Sequence, residues 1–311
     1  MRYLSPRFYG TRFSALLHVT LLAFLLSPLV QADTVSGTHS TIQINFNSGF
    51  TDTTAISAVG GNSGTTVGQQ RKNAYLAAAQ IIADQVYSPV TIVVDATFAN
   101  IGCDASSATL GNAGATTNTG YGSPAPSGFI ANTFYPVGLF NAISGSDYSG
   151  AISDITSQFN SDIGTSGCLQ GSNGWYYGFD TPPSNYIGFF TVLLHEMTHG
   201  LGFASLVNPT TGAKASGIDD IFSNFLYSQA DGALWKDLVA GGGWTADEKR
   251  ANSAISSTGL LWNGTYTNNA AAALSGGAAL TAGFRDADSS GTFTSGDRMQ
   301  MYAPGTIESG S

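Results

Sequence analysis

The chain has 311 residues, a formal net charge of −9 at pH 7, and charged side chains at only 10% of its positions. This acidic balance argues against a nucleic-acid partner, because binding phosphates requires an excess of lysine and arginine. With 42% hydrophobic residues, the chain is long enough to bury the core of one large domain, or of one domain with an appendage.

The first residues have the order of a secretory signal peptide. Three arginines precede an apolar run over residues 15–30, and small residues lead to a predicted cut after Ala32. A membrane anchor is the alternative, but the run is shorter than the roughly 20 apolar residues that a span requires, and no second candidate follows. The prediction is a signal peptide at 1–32 and a domain at 33–311, with no membrane span and a secreted, periplasmic or extracellular location.

Hydrophobic periodicity predicts the elements of the domain in chain order. Apolar residues alternate over 41–50, which is typical of a strand with one buried face. An alanine-rich helix is predicted over 69–87, and a β-branched strand over 90–98. A small, polar and irregular loop is predicted over 104–128. The remaining predictions are a short strand within 150–162, an apolar helix around residue 195, and helices over 219–229 and 245–256.

Two cysteines, Cys103 and Cys168, remain once the signal peptide is removed. In an oxidising compartment a disulfide between them is favoured over two free thiols. Such a bond would close a loop of more than sixty residues, with a stabilisation of about 3–4 kcal/mol. Two cysteines are too few for a four-cysteine structural zinc site.

The stretch FFTVLLHEMTHGLGFASL contains His195, Glu196 and His199 in the HExxH spacing. Residues four apart lie on one face of a helix, so the two imidazoles can bind one zinc ion. Glu196 lies one position further round, where it can accept a proton from a zinc-activated water that attacks a peptide carbonyl. The motif therefore predicts peptide hydrolysis without a covalent intermediate.

Chance is a poor explanation of this motif. The chain has four histidines and three glutamates, and random placement gives HExxH an expected count of roughly 1 in 2,000. The alternative is a core helix whose histidines are satisfied by hydrogen bonds, but two histidines and a carboxylate are costly to bury without partners. Zinc binding is therefore the favoured interpretation.

The segment HEMTHGLGFAS resembles the metzincin zinc proteases, in which a glycine lies three residues after the second histidine. Gly202 fits that glycine, but Ser205 stands where the usual third ligand falls. The closer resemblance is to the leishmanolysin-like metzincins and related exported bacterial metallopeptidases, in which an insertion precedes the third histidine. The resemblance extends over most of the chain, through the segments SPVTIVVDATF, LGNAG, WYYGFD and LLWNG. The resemblance implies an α+β fold. This fold would be a metzincin-like zinc protease domain in which a twisted sheet packs on an N-terminal helix and an active-site helix.

The third zinc ligand is not evident, because no histidine follows His199. Segment 298–311 resembles the approach to the family's histidine segment, so the third ligand is expected beyond residue 311, in a C-terminal part that is missing here. Such a truncation would leave this chain inactive even if the full-length protein is a protease. Asp219 and Asp220 are the in-chain candidates, since carboxylates bind zinc. Capping of a helix is their favoured alternative role.

A second candidate metal site is the loop DADSSGTFTSGD at 286–297. Its spacing matches an EF-hand loop with Gly291 at position six, and an aspartate at the last position predicts weaker binding than a glutamate. The predicted calcium ligands are Asp286, Asp288, Ser290, the carbonyl of Thr292, and Asp297. A polar turn is the alternative, because Asp, Ser and Gly are ordinary turn residues and the flanking segments are not clearly helical.

These observations predict a secreted zinc-dependent endopeptidase that hydrolyses proteins or peptides, with Zn²⁺ as its cofactor and Ca²⁺ as a candidate stabilising ion. Glu196 is the predicted general base, and His195 and His199 are the predicted zinc ligands. The alternative is a non-catalytic exported binding or adhesion protein on the same scaffold. The intact Glu196 favours the enzyme, because zinc binding alone does not require it.

Overall fold

Strands and helices are mixed along the chain in the computed structural model, which describes residues 31–256, 258–275, 283–287, 289–294, 296–301 and 303. The strands are β1 (Gln31–Ser36), β2 (Thr41–Phe46), β3 (Ile92–Ala99), β4 (Gly111–Ala115), β5 (Asn118–Thr119), β6 (Thr133–Pro136), β7 (Ile155–Asn160), β8 (Trp175–Tyr176), β9 (Ile187–Gly188), β10 (Asp219–Asp220), β11 (Leu226–Ser228), β12 (Ala233–Leu234), β13 (Leu260–Trp262), β14 (Phe284–Arg285) and β15 (Arg298–Gln300). The helices are α1 (Val67–Gln85), α2 (Val137–Ser144), α3 (Phe189–Gly200), α4 (Ala246–Ala254) and α5 (Thr265–Ser275). The fold class is α+β. The predicted signal peptide at 1–32 lies outside the described residues except for its last two positions, which begin β1.

Five strands form the main sheet in the order β1-β2-β3-β7-β4. The central strands β2, β3 and β7 are parallel, while β1 and β4 run antiparallel to their neighbours, so β4 is an antiparallel edge strand. Alternate residues of β2 and β3, among them Ile42, Ile44 and Val94, are fully buried, as their period of two predicts. The strands predicted over 41–50 and 90–98 are confirmed.

Helix α1 packs its small residues against the main sheet. The helix begins after Thr66, whose hydroxyl accepts a hydrogen bond from the Gln69 backbone N–H at 3.2 Å. The buried alanines of the helix belong to the same core as β2 and β3; they are Ala74, Ala78, Ala79 and Ala83. Because alanine has a short side chain, the helix can lie close to the strands. The helix predicted over 69–87 is confirmed, with both ends two residues earlier.

The irregular loop predicted over 104–128 is wrong in part, because this segment contains the edge strand β4. Small residues such as Gly, Asn and Ala have a weak intrinsic preference for strands. Pairing with β7 imposes the extended conformation, in a register that joins Gly111 to Phe159. A Cβ at Gly111 would lie 2.9 Å from the Phe159 ring, so only glycine fits this close approach. Tertiary pairing therefore overrides the local preference of the chain.

A disulfide joins the loop before β4 to the loop after β7. Cys103 and Cys168 are bonded, with their Cα atoms 5.3 Å apart. Beside the bond, the Leu169 N–H donates to the Asp104 carbonyl at 2.8 Å, so the two loops also share a backbone hydrogen bond. The disulfide therefore fixes the segment that leads into the edge strand.

The chain after α3 forms a second, antiparallel sheet in the order β12-β11-β13-β15-β14. The helix predicted over 219–229 is wrong, because this segment holds β10, a 3-10 turn and β11. Asp220 pairs with Phe134 of β6 in parallel, and its carboxylate accepts the Ser223 N–H at 2.7 Å, which starts the turn. A separate core surrounds this sheet and consists of Val207, Leu226, Trp235, Leu238, Leu260 and Ala303.

Helix α4 confirms the helix predicted over 245–256. It begins with a capping box in which Thr245 and Glu248 each accept a backbone hydrogen bond from the other residue. None of the helices in the described part of the chain is both long enough and apolar enough to cross a membrane.

Candidate active site

Helix α3 carries the HExxH motif on the side that faces away from the core. Its buried residues are Phe189, Leu193, Met197 and Gly200. Because these recur every three or four positions, His195 and Glu196 fall outside the buried face, with His195 exposed and Glu196 half-buried. Gly200 is packed so closely on β7 that a Cβ at this position would collide with Ile155. The helix therefore lies directly on the main sheet with its polar residues outward.

The first residue of α3, Phe189, anchors the helix in the core. Its side chain is fully buried. Five aromatic rings surround it with centroid distances of 5.0 to 6.2 Å; they belong to Tyr75, Phe98, Phe159, Trp175 and Tyr177. These rings come from α1, from two strands of the main sheet and from the segment before α3. The cluster therefore fixes the start of the motif helix against α1, two strands of the main sheet and the segment before the helix.

The buried ring of Tyr75 is a neutral support of this cluster. Its hydroxyl lies 2.8 Å from the Ser157 hydroxyl, which donates to the Asp95 carbonyl at 3.0 Å, so the Tyr75 hydroxyl is the donor to Ser157. Burial raises the pKa of the Tyr75 hydroxyl above its usual range, and the negative charge of Glu196 acts in the same direction. Tyr75 therefore stays protonated and does not compete with Glu196 for a role as base.

Helix α3 ends in a turn that requires glycine. Gly202 has a φ of +108°, which side chains rarely adopt, and its N–H donates to the His199 carbonyl at 3.0 Å. A Cβ at Gly202 would also lie 2.7 Å from the Pro136 ring. The chain therefore turns sharply at Gly202 and passes close to Pro136 at the end of β6.

The two histidines of the motif form a pair through their Nε2 atoms, which are 3.0 Å apart. The Nδ1 atom of His199 lies 2.8 Å from the Phe203 carbonyl oxygen, which only accepts hydrogen bonds. The proton of a neutral His199 is therefore on Nδ1, and the lone pair of its Nε2 faces His195 Nε2. Two nitrogens bound to one tetrahedral zinc ion at about 2.0–2.1 Å lie roughly 3.3–3.4 Å apart, a few tenths of an ångström more than the 3.0 Å between these Nε2 atoms. The histidine pair therefore fits two of the ligand positions of zinc.

An open cleft of about 440 Å³ lies beside the histidine pair. One wall is α3, which contributes Thr191, Val192 and Glu196, and the other is segment 107–111, which leads into β4. The sequence does not mark 107–111 as part of the site, because its small residues carry no catalytic or ligand signal. The acid of the motif therefore lines a solvent-accessible cleft with an edge strand at its border.

The two candidate carboxylate ligands are engaged elsewhere. Asp219 forms an ion pair with Lys214 at 2.6 Å. Asp220 is only 3% exposed, and its carboxylate accepts backbone hydrogen bonds from Leu206 and Ser223 at 3.0 and 2.7 Å. Within the described residues, no third His, Cys, Asp or Glu joins the histidine pair in a metal-binding group. The alternative role that the sequence favours, capping of a helix, is wrong because no α-helix forms over 219–229; Asp220 instead accepts the Ser223 N–H at the start of a 3-10 turn.

Ser205 takes part in the loop that follows α3. Its hydroxyl lies 2.7 Å from the Ser223 hydroxyl and accepts the Val207 backbone N–H at 3.0 Å. The serine at the usual ligand position is therefore occupied by hydrogen bonds that shape this loop.

The candidate calcium loop lies between strands β14 and β15 rather than between helices. The Asp286 carboxylate accepts backbone hydrogen bonds from Ser290 at 3.1 Å and from Gly291 at 2.7 Å. Gly291 has a φ of +74°, so the sharp bend at position six of the loop depends on glycine. The first half of the loop thus folds around its first predicted ligand.

The last predicted ligand, Asp297, is buried and accepts the Ala287 backbone N–H at 2.7 Å. The Thr292 carbonyl accepts a hydrogen bond from the Ser290 hydroxyl at 2.9 Å. Asp288 lies outside the described residues. The predicted calcium ligands that the structure describes therefore lie in one loop and are held by hydrogen bonds within that loop.

His195 and Glu196 line one cleft, His199 is paired with His195 through their Nε2 atoms, and Asp219 and Asp220 lie outside the cleft. Comparisons of the chain with protein-family models, with curated proteins and with solved structures give no significant match.

Proposed function

We propose that the chain is an exported zinc-dependent endopeptidase of the metzincin type, related to the leishmanolysin-like and exported bacterial metallopeptidases. Its proposed substrates are proteins or peptides, and its proposed cofactor is Zn²⁺ held by His195 and His199. The observation that carries the proposal is the 3.0 Å spacing of the two Nε2 atoms beside Glu196 in an open cleft. A third ligand from outside the described residues completes the proposed site.

Glu196 is the proposed general base. Zinc, when bound, lowers the pKa of its water to about 7 and polarises the scissile carbonyl. A carboxylate oxygen of Glu196 accepts the proton of the attacking water and then delivers it to the nitrogen of the leaving amine. His199 keeps its Nδ1–H on the Phe203 carbonyl, so that its Nε2 remains available as a ligand.

The edge strand β4 supports binding of an extended substrate. β4 pairs with β7 and stands at the end of the sheet order, while segment 107–111 lines the cleft together with Glu196. Backbone groups on the free side of an edge strand bind extended peptides by adding a strand to the sheet. The proposed substrate therefore runs along β4 and brings its scissile bond to Glu196.

The disulfide supports export of the chain. Disulfides persist in secreted and periplasmic compartments and are rare in the cytosol. The Cys103–Cys168 bond therefore agrees with the signal peptide predicted at 1–32. A secreted, periplasmic or extracellular location is part of the proposal.

Removal of the metal is expected to abolish peptide hydrolysis reversibly. The protein is treated with EDTA and assayed on a mixture of fluorogenic peptides. Hydrolysis should fall to background and return with stoichiometric Zn²⁺ but not with Mg²⁺, because Mg²⁺ prefers oxygen ligands to imidazole. Hydrolysis that persists without metal contradicts the proposal. Zinc binding without any hydrolysis favours the alternative of an exported binding or adhesion protein.

We also propose that the loop at 286–297 binds Ca²⁺ and stabilises the second sheet. Saturating Ca²⁺ is expected to raise the melting temperature by about 5 °C, since a ligand at 100 times its Kd stabilises a fold by about 2.7 kcal/mol. The variant Asp286→Asn should lose this rise. Asp104→Asn is the matched control, because Asp104 also accepts backbone hydrogen bonds in an exposed loop, from Ser106 and Ser107. No change in melting temperature of the wild type with Ca²⁺ removes the calcium proposal.

A further inference from the structure

The loop at 202–207 connects the motif helix to the second sheet, and its first half holds His199. The Phe203 carbonyl accepts the His199 Nδ1–H at 2.8 Å, and the Phe203 N–H donates to the Thr198 carbonyl at 3.0 Å. The orientation of the imidazole therefore depends on where this loop places one carbonyl group.

The second half of the loop is held by a carboxylate. The Leu206 N–H donates to Asp220 Oδ2 at 3.0 Å, while Asp220 Oδ1 accepts the Ser223 N–H at 2.7 Å. Asp220 is buried, and its strand β10 pairs in parallel with Phe134 of β6. Each carboxylate oxygen thus serves a different segment, so Asp220 links the loop at 202–207 to the turn after β10.

Ser205 and Ser223 add a second connection between the same two segments. Their hydroxyls are 2.7 Å apart, and the Phe203 ring contacts the Phe222 ring edge to face with a centroid distance of 4.8 Å. Because a buried carboxylate without hydrogen bonds would be costly, the position of Asp220 and that of the loop are mutually dependent.

We propose that Asp220 is a positioning residue for His199. By holding Leu206 it fixes the Phe203 carbonyl, and this carbonyl keeps the His199 proton on Nδ1 and directs Nε2 toward His195. The consequence for zinc affinity rests on the proposed function, whereas the consequence for the His199 tautomer does not. Groups that orient metal-binding histidines commonly change metal affinity by about 10–100-fold when they are removed.

The test compares Asp220→Asn with Asp219→Asn, which alters the neighbouring carboxylate that pairs with Lys214. An asparagine at 220 offers one acceptor oxygen and places an N–H₂ group against the second backbone N–H. Ring-nitrogen NMR of the metal-free chain at about pH 8, where an ordinary imidazole is neutral, reports the His199 tautomer. Zinc affinity is measured on the same samples by competition with a chelator, and circular dichroism shows whether each variant is folded.

In the wild type and in Asp219→Asn, we expect His199 with its proton on Nδ1 and equal zinc affinities. In Asp220→Asn we expect a mixture of tautomers and a zinc affinity lower by about 10–100-fold. If Asp220→Asn does not fold, Ser205→Ala removes the hydrogen bonds of the Ser205 hydroxyl to Ser223 and Val207, leaves Asp220 intact, and should shift the tautomer in the same direction. An unchanged tautomer in a folded Asp220→Asn variant overturns the proposal, as does an equal loss in Asp219→Asn. A wild type that binds no zinc contradicts the proposed function, and the tautomer alone then decides the role of Asp220.

Discussion

The substitution Glu196→Gln is expected to lower kcat/KM for peptide hydrolysis by about 10²–10⁴-fold, which is the usual contribution of a general acid–base residue. Glutamine keeps the shape and the length of the side chain but cannot accept a proton. Glu196 lines the cleft beside the histidine pair without being one of the proposed ligands. The zinc content of the variant should therefore equal that of the wild type. Steady-state kinetics and metal analysis on the same preparation measure both quantities.

The matched control for this substitution is Glu248→Gln. Glu248 is exposed and accepts the Thr245 N–H at 2.7 Å in the capping box of α4, far along the chain from the motif. A glutamine can still accept this hydrogen bond, so the control should hydrolyse peptides at the wild-type rate. Wild-type hydrolysis by Glu196→Gln would show that the assigned general base is wrong.

The substitution Phe189→Ala is expected to lower the free energy of unfolding by about 3–5 kcal/mol. Phe189 is fully buried and touches five other aromatic rings, so alanine would leave a large cavity where α3 meets the sheet. At the other end of α3, Gly200 packs so closely on Ile155 of β7 that a side chain would not fit there. Urea denaturation of the two proteins, with the slope and midpoint both fitted, measures the difference.

Phe190→Ala provides the control for that prediction at the next position of the same helix. Phe190 is half-buried, and its ring contacts Phe179 at a centroid distance of 5.4 Å. Its loss should cost about 1 kcal/mol, which is an ordinary value for a partly exposed side chain. Equal losses in the two variants would contradict the view that Phe189 is the anchor of the motif helix.

The sequence predicts the parts of this fold in which local pattern and tertiary environment agree. The alternation of Ile42, Ile44 and Phe46 indicates a strand with one buried face, and the structure buries those three residues. The alanines of α1 have a high helix preference and also pack on the sheet, so that prediction holds as well. In both elements the distant partners, β3 for β2 and the sheet for α1, favour the conformation that the local pattern already predicts.

The failures occur where a distant partner determines the conformation. Strand β4 is extended because it pairs with β7 about forty residues later in the chain, and Gly111 gives no local indication of this. Segment 219–229 has apolar residues at helical spacing, but its Asp220 is committed to Leu206 and Ser223. A buried carboxylate requires hydrogen bonds to its oxygens. The bonds that Asp220 accepts from Leu206 and Ser223 therefore take precedence over the helix that the local pattern predicts.

The candidate site also has a part that the sequence predicts and a part that only the structure shows. His195, Glu196 and His199 are evident from the sequence because four-residue spacing on a helix is a local property. The Phe203 carbonyl that orients His199 is a backbone group, which any residue could supply, so the sequence contains no sign of it. The wall at 107–111 reaches the cleft only through the edge of the main sheet.

The measurement that tests the central claim most directly is zinc content together with kcat/KM, determined on one set of samples of the protein. The set comprises the wild type, His199→Ala and Glu196→Gln. The wild type should bind zinc and hydrolyse peptides, His199→Ala should lose both properties, and Glu196→Gln should retain zinc without hydrolysis. If His199→Ala retains both wild-type zinc affinity and wild-type hydrolysis, the HExxH residues of α3 are not the catalytic zinc site.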